Sequence, residues 1–184
     1  MKKVELGFVS SNKHKIAETE QIFADSGIII HPYNIKIEEL QTLDVNKLIK
    51  DKLLKAFSII GRPLFVEHTG LYIPALNNFP GGLTQIFWDS LQADLFAKII
   101  GNLESPKAKA ITTIAYCNGK KIYICQGEVE GIISKEPRGS KDFQWDCVFI
   151  PNGKEETFSE LGDEKNNISM RRIAIDKLKN YLLS

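Results

Sequence analysis

The chain has 184 residues, 43% hydrophobic and 26% charged, with 24 basic against 23 acidic side chains and a formal net charge of +1. That supplies a real core for a single domain over 1–184, and it excludes a global field drawing the chain to nucleic acid or membrane, so any basic site is local. No run has membrane-spanning length, the N-terminus carries no signal-like segment, and Cys117, Cys125 and Cys147 form no CxxC or zinc pattern, so the expectation is a cytoplasmic protein with reduced cysteines.

Val4, Leu6 and Phe8 alternate as in a strand, and Ser10-Ser11-Asn12 breaks the pattern. Asn12 is a good N-cap for a helix carrying Ile16, Ala17 and Phe23, which Asp25-Ser26-Gly27 stops. Ile28–Ile30 and Ile35–Ile37 read as short strands. Asp44 caps a longer helix with an apolar stripe from Val45 to Ile60, ended by Gly61 and Pro63. Leu64-Phe65-Val66 reads as a buried strand with Glu67-His68-Thr69-Gly70 at its C-terminal end. Pro80-Gly81-Gly82 reads as a loop. Asp89 or Ser90 starts a helix with Leu91, Leu95, Phe96 and Ile99 inward, closed by Gly101. Ala110–Cys117 and Ile122–Ile133 flank Asn118-Gly119 as a β-hairpin. A polar loop over Ser134–Gln144 leads to a strand at Cys147–Ile150. A last helix from about Ser169 places Ile173, Ala174, Leu178, Tyr181 and Leu182 on one face. Alternating strands and helices followed by a hairpin predict a mixed α/β domain with a partly antiparallel sheet.

Five segments could carry chemistry. Ser10 to Lys15 lies between a strand and a helix, where free N–H groups and a lysine suit a phosphate, although a capped helix with solvated lysines explains it too. Glu38-Glu39 could hold Mg²⁺ beside a phosphate, or sit solvated. Glu67-His68 could supply a metal ligand and a general base; a tight turn that needs Gly70 is an equal reading. Arg138 suits a phosphate, and Phe143 and Trp145 suit stacking on a base, with Asp146 as an acceptor, though one aromatic reads as a core plug. Lys165 to Arg172 opens the last helix with cations that oppose its dipole, which fits an anion nearby or merely a tolerated surface. Together these are the groups a metal-bound nucleoside triphosphate requires.

The ordered set is similar to the inosine triphosphate pyrophosphatase (Ham1-like) family. The residues that carry the resemblance are Ser10-x-Asn12-x-x-Lys15-x-x-Glu18, Glu39-x-Gln41, Glu67-His68-Thr69-Gly70-Leu71, Pro80-Gly81-Gly82, Pro137-Arg138-Gly139, Phe143-Gln144-Trp145-Asp146, Lys165 and Ser169-Met170-Arg171. The resemblance implies an elongated two-lobed α/β fold, with a central mixed β-sheet flanked by helices and a cleft between the lobes, usually in a homodimer. It implies hydrolysis of nucleoside triphosphates, deaminated purines above all, to monophosphate and pyrophosphate. Mg²⁺ is the implied cofactor, with Mn²⁺ as the alternative, and neither nucleic acid nor membrane is an expected partner. Carried over by motif, His68, Glu67 and Lys15 are the catalytic residues, and Glu39 and Glu67 place the metal. Ser10, Asn12, Lys15, Lys52 and Lys165 contact the triphosphate; Phe143, Trp145 and Asp146 hold the base with Ser169 and Arg171 beside it; Thr69 is a further substrate-binding residue. This sequence departs from the family pattern at His68, where an aspartate is usual, at Met170, where a histidine is usual, and at Asp142 and Gln144, which replace glycines. The first two departures motivate the rival expectation of a nucleotide-binding protein with no turnover or a redirected role.

Overall fold

A computed structural model describes residues 4–184; the N-terminal stretch read as free of a signal segment begins outside them. Seven strands form one mixed sheet. β1 (Val4–Val9) lies parallel to β2 (Ile28–Tyr33) on one side and to β3 (Leu64–Ile73) on the other. Beyond β3 the sheet turns antiparallel through β5 (Lys107–Cys117), β6 (Ile122–Ile133) and β7 (Phe149–Pro151), while the short β4 (Phe79–Pro80) pairs with the end of β3. The connecting helices are α1 (Lys13–Phe23), α2 (Val45–Ile60) and α3 (Thr84–Ile100), followed by α4 (Phe158–Leu161), α5 (Lys165–Ile168) and α6 (Met170–Leu183).

Strand β3 explains how the core is divided. Its alternation sends Leu64 and Val66 to one face, where α2 packs with Ile49, Leu53 and Ala56. Phe65 points to the other face and joins Leu6, Phe8, Phe23 and the α6 residues Ala174, Ile175 and Leu178. Leu71 and Ile73, at the far end, join a third cluster with Trp88, Phe96, Trp145, Phe149 and Phe158. Between the apolar halves of the strand lies Glu67-His68-Thr69, three polar residues in a buried strand. Such groups must be paired to be tolerated, and their partners make the site.

The expected elements hold with several corrections. Residues Ile35–Ile37 form no strand: this coil lines a cleft, and Ile35 and Ile37 pack against the α2-side core. Glu67 to Gly70 lie in the middle of β3, not beyond its end, because the strand continues to Ile73 against β5. Pro80 belongs to the two-residue β4, and only Gly81–Leu83 that follow form a 3₁₀ turn. Helix α3 starts at Thr84, earlier than Asp89, and is broken at Gln92, whose φ of 56° and ψ of 176° are not helical. That break rotates the second half, so Phe96 is buried while Leu95 and Ile99 are both 45% exposed. Cys147 closes a 3₁₀ turn, and β7 begins at Phe149. The last helix begins where expected, capped by the extended backbone and side chain of Ser169; Lys165–Ile168 is a separate short helix before it, not its opening turn.

Two glycines set the approach of the loops to the sheet. A Cβ on Gly70 would stand 2.5 Å from the Gly81 carbonyl oxygen, and one on Gly82 would stand 2.1 Å from that of Thr42. Only glycine lets β3, the 81–83 turn and the start of α2 close up on one another.

Candidate active site

At the end of β1 the chain turns into α1 through a capped start. Asn12 Oδ1 accepts from Lys15 N (3.1 Å), and Ser10 Oγ accepts from Asn12 N (3.2 Å). This fixes Lys15 on the first turn, where its Nζ lies 3.1 Å from Glu67 Oε1. Lys52 reaches across from α2 and donates to the Glu67 carbonyl (2.8 Å) and to Glu39 Oε1. His68 Nδ1 lies 3.2 Å from Glu39 Oε2. Ser10, Asn12, Lys15, Glu39, Lys52, His68 and Thr69 line one cleft of about 500 Å³. Thr69 Oγ1 and Thr112 Oγ1 share a 2.7 Å hydrogen bond at its base.

Behind Lys15 runs a buried ionic chain. Glu67 accepts two bonds from Arg171, Nε to Oε2 at 2.8 Å and Nη2 to Oε1 at 2.9 Å. Arg171 also donates to Glu18, and Glu18 accepts from Lys165 Nζ (2.6 Å). Lys165 in turn pairs with Asp146. Three cations, Lys15, Arg171 and Lys165, thus alternate with three carboxylates, Glu67, Glu18 and Asp146. Arg171 is the second residue of α6, and its unfavourable position at a helix N-terminus is offset by these two glutamates.

Burial and pairing compete at each of these groups. Burial pushes the Lys15 ammonium below its ordinary value, with Glu67 pulling the other way. Burial would raise the Glu67 carboxyl, but Arg171 and Lys15 outweigh it and hold the group well below the usual carboxylate range. Glu39 is likewise held low: burial is outweighed by the His68 hydrogen bond and by Lys52. Asp146 goes the other way, raised by burial in spite of Lys165.

The base-side residues pack more tightly. Phe143 stacks on His14 with ring centroids 4.9 Å apart and carries Lys165 Nζ 4.3 Å from its centre. Phe143, Asp146, Lys165 and Arg171 surround a cavity of only about 10 Å³, with Lys15 and Thr69 at its edge. A second hollow of about 190 Å³ opens between His14, Glu18, Phe143 and Lys165.

The structure therefore brings most of the sequence candidates together, in two groups joined by Lys15. Trp145 is 3% exposed and packs edge-on to Phe149, so it is the core plug of the aromatic pair, and it lines the small cavity from the core side. Two candidates stand apart. Ser169 is buried with its hydroxyl accepting from Arg172 N as a helix cap. Arg138, read as a phosphate cation, instead ties down the 155–160 segment through the Glu155 carbonyl and Glu160. Glu18 is the residue whose role the sequence reading missed. Lys15 and Glu18 are three apart on α1, so one helix face carries both, and that spacing was the available signal.

The model of the Ham1 family matches residues 6–181. An inosine triphosphate pyrophosphatase of Yarrowia lipolytica is 38% identical over 95% of this chain and 94% of its own length. A dITP/XTP pyrophosphatase of Methanopyrus kandleri is 34% identical over 95% and 94%. The solved structure of a HAM1 protein from Coxiella burnetii superposes with a TM-score of 0.80 at 28% identity, covering 98% of each chain. The chain belongs to the Ham1 family.

Proposed function

We propose that this protein hydrolyses nucleoside triphosphates, with deaminated purines as the preferred class, to the monophosphate and pyrophosphate, clearing non-standard nucleotides from the pool. The observation that carries the reading is the cleft of about 500 Å³ on which Lys15, Lys52 and Glu39 converge over Glu67. Lys15 and Lys52 offer cations to a polyphosphate, and the capped start of α1 adds N–H groups beside Ser10 and Asn12. Phe143, Asp146 and Arg171 stand at the other end, where a base would lie, and Lys165, which the resemblance assigns to the triphosphate, sits there with them against Phe143 and Asp146. The pyrophosphatase activities for which the Yarrowia lipolytica and Methanopyrus kandleri relatives are named support the same reading.

The chemistry follows from the placement. Water attacks the α-phosphorus, and charge develops on the bridging oxygen as pyrophosphate leaves. Lys15 and Lys52 stabilise that charge from a partly desolvated wall, where a fixed cation is worth more than in water. Glu39, 29% exposed on the cleft wall, suits Mg²⁺, which takes one or two carboxylates from the protein and its remaining ligands from phosphates and waters; Glu67 is buried with both oxygens paired to Arg171 and Lys15, and would reach the ion only once Lys15 turns to the phosphates. In this proposal Mg²⁺, with Mn²⁺ as the alternative, would be held by Glu39, with Glu67 behind it, and would neutralise phosphate charge. His68 joins Glu39 at the reaction centre.

A homodimer in the cytoplasm completes the proposal. Leu95 and Ile99, exposed one turn apart on α3, offer an apolar contact for a second copy. No helix among the described residues is long and apolar enough to cross a membrane.

The test is pyrophosphate release from a panel of inosine, xanthosine, adenosine and guanosine triphosphates, with Mg²⁺ and with Mn²⁺. Faster turnover of the first two is expected. Release of orthophosphate in place of pyrophosphate, or no hydrolysis of any member, would sink the reading.

A further inference from the structure

The two nitrogens of His68 have different surroundings. Nδ1 meets Glu39 Oε2 at 3.2 Å, while Nε2 is buried and has no hydrogen-bond partner among the described residues. The nitrogen that would have to take a proton from water, or bind a metal, is the sealed one. The nitrogen in use is the one turned to Glu39. With its proton on Nδ1, the imidazole donates to the carboxylate and leaves Nε2 a bare lone pair.

Glu39 is held from both sides. Lys52 takes Oε1 and His68 takes Oε2, while the side chain remains 29% exposed on the cleft wall. Two donors use about half the lone-pair positions of a carboxylate, so both oxygens keep capacity for a cation. Lys52 is itself anchored by the Glu67 carbonyl, and His68 is fixed in the middle of β3. The coil that carries Glu39 has no strand or helix to hold it, so its carboxylate takes its orientation from these two partners.

We propose that His68 is a positioning residue: its Nδ1–H aims the Glu39 carboxylate at the cation that accompanies the nucleotide, and it acts neither as metal ligand nor as proton acceptor. The inference rests on the hydrolase reading above. It assigns the acid-side work of the cleft wall to one carboxylate, Glu39, oriented from the sheet behind it.

Asparagine and glutamine separate the alternatives. The side-chain amide of Asn places an N–H close to the position of Nδ1; that of Gln places it one bond further, near Nε2. Mn²⁺ is the probe, titrated into the full chain with inosine α,β-methylene triphosphate bound, and free Mn²⁺ is read by its electron paramagnetic resonance signal. His68→Asn is expected to keep Mn²⁺ affinity and kcat within about threefold of the wild type. His68→Gln and His68→Ala are expected to lose on the order of 10- to 100-fold in Mn²⁺ affinity, as removal of an outer-shell partner does, and to lower kcat with little change in the KM for nucleotide. Glu39→Gln should be at least as impaired as His68→Ala.

Thermal melts of all four variants exclude a trivial loss of folding; Asn and Gln are matched in polarity, so their contrast does not depend on stability. Asn as damaging as Ala, Gln better than Asn, or Glu39→Gln indistinguishable from wild type would each overturn the proposal. If wild type releases no pyrophosphate from any triphosphate, the hydrolase reading fails. The order of Mn²⁺ affinities across the variants still decides the role of His68.

Discussion

The two ends of the site are built from the same kinds of residue and differ in what those residues already touch. At the end marked by Ser10, Asn12, Lys52 and Glu39, a cleft of about 500 Å³ is open, and its cations, Lys15 and Lys52, line it while paired with Glu67 and Glu39. At the end marked by Phe143, Asp146, Lys165 and Arg171, the cavity between them is about 10 Å³, a hollow of about 190 Å³ adjoins it beside His14 and Glu18, and every charge has a partner. The open end can accept an anion with little rearrangement. The closed end is an ion-pair chain whose members must be parted before a base can replace any contact. A desolvated chain of this kind contributes less to stability than to fixing geometry, because pairing repays burial only when every member stays paired. The phosphate end thus supplies affinity, and the base end supplies the conditions under which that affinity is used.

The sharpest way to break the contrast is to remove one link from the closed end. Arg171→Ala would leave Glu67 with Lys15 alone and Glu18 with Lys165 alone, breaking the middle of the buried chain, and is expected to cost about 3–5 kcal/mol of folding stability. Denaturant unfolding measures it. A loss below about 1 kcal/mol would show that the chain is solvated in solution and that the two ends are alike. The open end should behave differently. Lys15→Ala leaves Glu67 with both Arg171 bonds, so the fold should survive, while triphosphate binding weakens by about 1.5–3 kcal/mol through loss of a charge-assisted contact. Calorimetric titration with a non-hydrolysable triphosphate reads this. Unchanged affinity would remove Lys15 from the phosphate site.

Acid separates the ends by sign. Glu39 and Glu67 have folded-state values held below the ordinary carboxylate value of about 4.3, so the stability they contribute is complete above that pH and lost as the pH falls towards their folded values. Asp146 is raised, so protonation of the folded protein relieves a buried charge there as the pH falls. Wild type should therefore lose stability below about pH 4–5, and Glu67→Gln should flatten that slope while Asp146→Asn should not. A slope unchanged by Glu67→Gln would mean that its pairing with Lys15 and Arg171 is not what depresses it.

How much of this could be read from the residues alone depends on the range of the contacts. Capping and periodicity are local, and Asn12, Asp44 and Gly61 mark the helix ends where the sequence reading put them. Strand β3 was cut short because Glu67-His68-Thr69 looks like the end of a buried strand. Its continuation depends on Arg171, Lys15 and Thr112, the nearest of which is 43 residues away, and no local pattern shows them. An unbroken helix would put Leu95 and Ile99 on the inward face with Leu91, and the break at Gln92 shifts that phase. The left-handed residue at Gln92 has no sequence marker. The site itself was more legible than the sheet. Its residues carry charges that need a common purpose, whereas the choice between Phe143 and Trp145 turned on packing that sequence does not record.

The smallest effect tests whether the closed end is held shut by its aromatic contact. His14 is exposed and lies on Phe143 with an interplanar angle of 16°, and the same ring carries Lys165. A base that stacks on Phe143 must compete with one of these neighbours. A stacked aromatic pair is worth about 0.5–1.5 kcal/mol beyond its buried area, and exposure of His14 puts this one at the low end. His14→Ala removes the competitor and leaves Phe143, Lys165 and the ionic chain in place. The KM for inosine triphosphate should then fall by roughly two- to threefold with kcat unchanged, the result of about 0.5 kcal/mol no longer spent on parting the rings. The Ki for inorganic triphosphate as an inhibitor should not move, because that ligand uses only the open end. A rise in the KM for inosine triphosphate would reverse the assignment: His14 would then be a wall of the base site, stacking on the nucleotide together with Phe143.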